Sequence, residues 1–287
     1  MDERRIEITD DFMFGYVMRN ENICASVIEC LIPGIKISKV EFRDENWRAV
    51  QTEKSIKGEL GTRSVRLDVY LDDGTTVFNV EMQTGNRQNL PKRSRFYGSR
   101  IDCDILGEGH DYNSLKPAYV IFICTFYPFG DGLCRYTFEN TCKENGRSLG
   151  DGSYKLFFNT TGTKGELTPE LKSLLEYFNK PKSFPKEERT NLIETIENTV
   201  EIANKSVDWR REYMTYAQAQ WDAEQLGHMK GHQEGFQEGR LLERIELLYS
   251  LVLRGKFTFE EAAEEARMTE SEFKSAVQKL ISEGKLN

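Results

Sequence analysis

Residues 66–85 read "RLDVYLDDGTTVFNVEMQTG", two alternating runs on either side of a turn. Alternation with a period of two is typical of half-buried strands, and the dipeptide "DG" at 73–74 predicts a two-residue hairpin turn. That turn would place Asp68 opposite Asn79, with Glu81 as its diagonal neighbour on the same face, roughly 7–8 Å away. Two carboxylates at that separation can share one hard cation such as Mg²⁺.

The same alternation also fits a plain hairpin whose polar face is solvated. Two features favour a site instead. The apolar run "AYVIFICTFYPF" at 118–129 and the helix before it need a sheet to pack on, and residues 84–101 contain no acid. That stretch concentrates positive charge in a protein of formal charge −8, on Arg87, Lys92, Arg93, Arg95 and Arg100. A carboxylate pair beside concentrated cations suits a phosphodiester substrate, which needs both a metal and counter-charge.

The order of patterns along the chain predicts the fold. Helical spacing over 10–33 indicates one broken helix or two short ones, and alternation in "KISKVEF" at 36–42 indicates a strand before the hairpin. A helix over 90–106 precedes the buried strand at 118–124, and 130–165 should hold edge strands and loops. This order predicts an α/β sandwich with a mixed sheet.

Beyond residue 167 the chain has helical periodicity, and 207–255 could form one very long helix. We therefore expect three parts: a core over 1–165, a helical subdomain over 166–225, and a helix with a small helical tail over 226–287. Two short helices are expected in that tail, each with a capping box, begun by Thr258 and Thr269.

Composition bounds the class of protein. The chain has 287 residues, 38% hydrophobic and 30% charged, and its longest apolar run is about a dozen residues, too short for a membrane span. The charged start of the sequence lacks a secretory signal, so a cytoplasmic location is expected. The six cysteines form no C-x-x-C pair, which argues against a zinc site or a disulfide framework.

An Asp in one strand followed by Glu-x-Lys in the next is the core of the PD-(D/E)XK nuclease superfamily. The variant "EMQ" at 81–83, followed by "KRSRFYGSRID" and "GHDYNSLKPAYVIFI", resembles the Rpn family of recombination-promoting nucleases and transposases. "TDDFMFGYVM" near the start and "EYMTYAQ" at 212–218 are similar as well. The likeness covers about residues 9–240 and is most specific over 65–124.

The resemblance implies a restriction-endonuclease-like core with a mixed sheet flanked by helices, and a metal-dependent DNA endonuclease linked to recombination, mobile elements or DNA defence. Asp68 and Glu81 would hold Mg²⁺ or Mn²⁺, with the Met82 carbonyl as a further ligand. Gln83 stands where most of the superfamily has a lysine, and a neutral amide cannot supply positive charge to the transition state.

We expect Arg93 to supply part of that charge, with Tyr97 one turn later as a hydrogen-bonding neighbour. The alternative for both is ordinary helix surface and core. Arg87, Lys92, Arg95 and Arg100 are the expected DNA-binding residues. An inactive nuclease relative that works by binding remains the alternative function, because Gln83 replaces the lysine.

The C-terminal part carries weaker signals. Glycines recur every four residues in "GHMKGHQEGFQEG" at 227–239, which we interpret as close approach of a second helix, hence a homo-oligomer, although a flexible linker fits almost as well. His228 and His232 lack the glutamate and third ligand of a zinc motif. The tail at 258–282 has six glutamates and three cations, which favours protein contact over DNA.

Overall fold

The computed structural model describes residues 4–37, 68–86, 88–106, 111–284 and 286. Most of the strand predicted in "KISKVEF", and residues 64–67 of the first hairpin strand, lie outside this range. The elements are α1 (Asp11–Met18), α2 (Glu21–Leu31), β1 (Val69–Asp72), β2 (Val77–Gln83), α3 (Leu90–Ile105), β3 (Ala118–Cys124), β4 (Arg135–Phe138), β5 (Ser153–Asn159), α4 (Pro169–Asn179), α5 (Asn191–Lys205), α6 (Val207–Leu253), α7 (Phe259–Ala266) and α8 (Glu270–Ser282).

The five strands form one mixed sheet in the order β1-β2-β3-β5-β4. The central strands β2, β3 and β5 are parallel, whereas β1 and β4 are antiparallel edges. This confirms the predicted α/β class with a mixed sheet. The expectation of edge strands over 130–165 is right for β4 and wrong for β5. The successive residues Leu156, Phe157 and Phe158 of β5 are all buried, as in a strand covered on both faces.

The hairpin turn differs from the predicted one. Asp72 pairs with Val77, so four residues, 73–76, form the loop. The Asp73 carboxylate accepts hydrogen bonds from the amides of Thr75 (2.8 Å) and Thr76 (2.7 Å), which stabilises this longer turn. The predicted register was therefore wrong by two residues. Because side chains alternate with a period of two, the assignment of residues to the two faces is unchanged.

Helices cover both faces of the sheet. On one face, α3 packs through Leu90 and Ile101 against Tyr70, Val120 and Phe122. On the other, α1 contacts β2, and α5 packs on α1 and α2. The polar face of the hairpin is consequently buried, which excludes the solvated-hairpin alternative.

A buried carboxylate network joins distant parts of the chain. Glu197 of α5 is 3% exposed. Its carboxylate accepts hydrogen bonds from Arg5 (2.7 Å) and Tyr177 (2.8 Å), and Arg189 forms an ion pair with it at 3.3 Å. Burial, followed by the charge of Glu197, raises the pKa of the Tyr177 hydroxyl, so this group remains a hydrogen-bond donor. The network fixes the segment around Arg5 to α5.

The chain divides into two compact units, Met1–Tyr213 and Met214–Asn287. The predicted three-part division stays a prediction. In the second unit, the end of α6 packs on α7 and α8 around Ile245, Leu248 and Phe273. Both expected capping boxes are present, begun by Thr258 and Thr269. None of the described helices combines the length and the apolar character that a membrane span requires.

Candidate active site

The two predicted carboxylates lie against each other at the end of the hairpin opposite its turn. The pairing of Val69 with Val80, extended by one residue, brings Asp68 directly opposite Glu81 rather than diagonal to it. The Asp68 amide donates a hydrogen bond to Glu81 Oε1 (3.1 Å), and the Met82 amide donates one to Asp68 Oδ2 (3.2 Å). Directly opposed residues are about 4.5–5.5 Å apart, closer than the sequence predicted.

Glu81 occupies an unusual environment for a carboxylate. It is 1% exposed and lies on β2, one of the three central strands. In the parallel pairing of β2 with β3 it lies beside Phe122. Asn79, also fully buried, precedes it on the same face. Burial, followed by the charge of Asp68, raises the pKa of Glu81 well above its usual value. Two adjacent carboxylates in a desolvated position are stabilised by added positive charge.

Arg93 supplies positive charge from the first turns of α3. Its Nη1 donates a hydrogen bond to Gln83 Oε1 (2.7 Å), and its Nη2 donates to Glu81 Oε2 (3.3 Å) and Tyr97 Oη (2.9 Å). The guanidinium therefore contacts three side chains at once, a role suited to its planar, branched set of donors. Pro91 in the first turn helps α3 begin here.

Aromatic rings hold the guanidinium in place. The Arg93 Cζ lies 5.3 Å from the centre of the Tyr97 ring and 5.5 Å from that of Phe122, within the range of cation–π attraction. The Tyr97 and Phe122 rings stack at 6.1 Å. Burial, followed by the charge of Glu81, raises the pKa of Tyr97, which keeps its hydroxyl protonated. No sequence pattern singles out Phe122, because only the parallel pairing of β2 and β3 brings it beside Glu81.

Gln83 orients the site through both ends of its amide. Its Oε1 accepts from Arg93, and its Nε2 donates to the Met82 carbonyl oxygen at 2.9 Å. Most of the superfamily has a lysine at this position. Here the Gln83 amide instead accepts a hydrogen bond from the Arg93 guanidinium of α3.

The predicted DNA-binding residues lie on different faces of α3. Lys92 and Arg95 are exposed, Arg100 is half-buried, and Arg87 lies outside the described residues. Phe96, 39% exposed between Arg95 and the Arg93 side of the helix, places an aromatic ring beside these cations. Phe96 was not predicted as a site residue, because its position in the sequence does not distinguish it from a core residue of α3.

The donor atoms of the carboxylate pair suit a divalent cation. Oxygen donors are the ligands that Mg²⁺ prefers, and Asp68 and Glu81 present carboxylates whose mutual repulsion a cation would relieve. Within the described ranges, no group of three or more His, Cys, Asp and Glu side chains could hold a metal ion. Backbone, solvent or substrate oxygens would therefore have to complete a site built on this pair.

A half-open cavity of about 680 Å³ lies elsewhere, between the loop after β5 and α4, with Cys134, Asn159 and Lys172 among its lining residues. It contains neither member of the carboxylate pair. Asp68, Glu81 and Arg93 thus lie away from this cavity, at the end of the hairpin opposite its turn.

A mixed sheet whose hairpin brings an aspartate opposite a Glu-x-Gln strand, covered by a helix that supplies a cation, defines a PD-(D/E)XK-type nuclease fold. Comparison with family models agrees. The model of the PD-(D/E)XK nuclease family transposases matches residues 10–229, and the chain belongs to this family. Searches of the curated proteins and of the solved structures found no match.

Proposed function

We propose that the protein is a divalent-metal-dependent deoxyribonuclease that acts in the cytoplasm on DNA, in recombination, the movement of mobile elements or DNA defence. The observation that carries the proposal is the opposition of Asp68 and Glu81 on paired strands, with Arg93 bound to Glu81 and Gln83. Family membership supports nuclease chemistry in general. The substrate, the metal and the biological process are our proposal.

Asp68, Glu81 and the Met82 carbonyl would hold the cation. When bound, it would lower the pKa of a water and polarise the scissile phosphate. Arg93 contributes a fixed positive charge to the phosphate, and Tyr97 keeps the guanidinium in position. Lys92 and Arg95, exposed on α3, attract and position the DNA backbone.

The direct test is cleavage of supercoiled plasmid by the purified protein in Mg²⁺ or Mn²⁺. Asp68→Asn keeps the shape of the side chain and removes its charge, so cleavage should fall to background. Asp73→Asn is the matched control, because this partly exposed loop residue retains an acceptor for its turn and should cleave as the wild type does. Absence of cleavage across metals and salt, or equal cleavage by Asp68→Asn, would refute the proposal.

One observation favours a second candidate, a weakly catalytic or inactive relative that works by binding. Arg93 already neutralises Glu81, and the Gln83 amide already occupies the Met82 carbonyl. The groups of the site are thus largely satisfied by one another. Calorimetric titration with Mg²⁺ and Mn²⁺ distinguishes the candidates. A nuclease should release or absorb heat on binding the metal, and Asp68→Asn should abolish that heat, whereas a binding module should show no heat that depends on Asp68.

A further inference from the structure

The middle of α6 is a long helical stretch that the described parts of the chain leave exposed. Every residue over 217–244 is exposed, a length of about 42 Å at 1.5 Å per residue. The stretch also contains glycines at 227, 231, 235 and 239, each of which weakens a helix relative to alanine. Helices without tertiary packing are marginal in water, so this stretch needs a packing partner.

Large apolar side chains form a stripe along this helix within the second unit. Its members are 57% to 69% exposed and comprise Met214, Trp221, Met229, Phe236 and Leu247. Their spacings of 7, 8, 7 and 11 residues keep them within an arc of about 80° at 3.6 residues per turn. Large exposed apolar side chains that recur along one face differ from singly scattered surface apolar residues and mark an interaction surface.

The stripe is nearly symmetric about Met229. Trp221 lies eight residues before it and Phe236 seven residues after it, while Met214 and Leu247 lie fifteen before and eighteen after. An antiparallel copy of the helix related by a two-fold axis at Met229 would therefore place Trp221 against Phe236. Aromatic pairs favour such contacts, and methionine adapts its shape at the centre.

Polar residues along the stripe match the same arrangement. Gln225 and His232, four residues before and three after Met229, would meet across the two-fold as a polar pair that fixes the register. Asp222 and Arg240 are eighteen residues, or five turns, apart and so share one edge of the stripe. Residues on the same edge approach each other in an antiparallel pair and lie apart in a parallel one. Asp222 would lie one turn from Arg240 of the second copy, about 6 Å along the axis, within reach of the long arginine side chain.

We infer that the apolar stripe of α6 binds a second copy of this chain in an antiparallel, two-fold arrangement centred on Met229. The partner is another copy because both the apolar pattern and the charges are complementary to themselves. The contact uses the apolar stripe and not the glycine row, which winds around the helix and reaches the edge of the stripe only at Gly239.

Association of the full-length protein is tested first, by light scattering coupled to size exclusion. The expected mass is twice the 33.2 kDa of one chain. Trp221→Glu should weaken dimerisation by at least about tenfold, the loss expected for an aromatic interface anchor. Glu234→Ala, on the opposite side of the helix, is the matched control and should leave the mass unchanged. A wild-type monomer at tens of micromolar would overturn the inference.

Orientation is tested by disulfide trapping in a background with the exposed Cys103 and Cys142 replaced by serine. Trp221→Cys mixed with Phe236→Cys should give a crosslinked dimer, whereas Trp221→Cys alone should not. Efficient crosslinking of Trp221→Cys alone would show a parallel pair and refute the antiparallel arrangement.

Two further sets of variants separate the charges and the glycine row from the apolar stripe. Asp222→Arg and Arg240→Asp should each weaken the dimer, and their combination should restore it. Gly231→Ala should raise the thermal stability of the helix and leave dimerisation intact. A dimer weakened by Gly231→Ala would place the contact on the glycine row and overturn our assignment.

Discussion

The position of the positive charge in the active site can be tested by moving it. In this chain Arg93 donates to both Gln83 and Glu81, whereas most of the superfamily carries a lysine at the position of Gln83. If the guanidinium replaces that lysine, Arg93→Met should remove activity, and adding Gln83→Lys to it should restore part of that activity. The prediction rests on the proposed nuclease function.

The expected sizes follow from the contacts. Arg93→Met removes a cation that lies 3.3 Å from a buried carboxylate, together with its bond to Gln83. Loss of one preorganised charge donor typically costs about 10²–10³-fold in rate, or roughly 2.7–4 kcal/mol. Gln83→Lys alone brings an ammonium beside the guanidinium and should also lower activity. The double variant should therefore recover about tenfold or more over Arg93→Met, a coupling of about 1.4 kcal/mol or greater.

The assay is single-turnover cleavage of plasmid at saturating enzyme, which isolates the chemical step from DNA binding. Arg95→Met, on the exposed side of the same helix, is the control for general loss of charge, and should weaken binding without slowing the bound complex. Wild-type rates for Arg93→Met, or strictly additive losses in the double variant, would show that Arg93 does not act in place of the lysine.

Three further predictions concern stability and DNA affinity. Glu197→Gln leaves two guanidinium groups without their carboxylate and should lower the free energy of unfolding in urea by about 3 kcal/mol. The control is Glu201→Gln, an exposed position on the same helix, which should leave the urea midpoint unchanged. Equal midpoints for the two variants would contradict the network. Burial raises the pKa of Asp10, so the folded state binds protons more tightly and loses stability as pH rises through that pKa. Asp10→Asn keeps the helix cap and should melt at a higher temperature than the wild type at pH 7. This difference in melting temperature should vanish below pH about 3.8, where the aspartate is protonated in both states. A difference that stays constant at all pH values would show that the charge of Asp10 is not its cause. Lys92→Ala should reduce the slope of log affinity against log salt by about 0.9 in DNA-binding titrations, and an unchanged slope would place Lys92 off the DNA.

The hairpin shows how far sequence reasoning could reach. Alternation assigned Asp68 and Glu81 to one face correctly, since face depends only on parity. It could not give the register, because the side chain of Asp73 stabilises a four-residue loop where a two-residue turn was expected. In the observed register the two carboxylates lie closer together than predicted, and both remain on the same face.

Other parts of the site depend on pairings between distant segments. The contact of Arg93 with Gln83 and Tyr97 agrees with the expectation for α3, although the catalytic roles stay predictions. Phe122 comes beside Arg93 only because β2 pairs with β3 in parallel. The place of β5 inside the sheet likewise depends on its pairing with β3 and β4. Periodicity reports which residues share a face, whereas strand order follows from long-range packing that it does not record.

The attachment of the segment around Arg5 to α5 has a consequence for how the protein is made. Arg5 bonds to Glu197 across 192 residues, and Ile6 pairs with the Asn204 side chain across 198. At about 5–20 residues per second, a ribosome needs roughly 10–40 s to synthesise the intervening chain. During that interval the segment has no α5 to bind, so the first unit can complete its folding only after its last helices have left the ribosome.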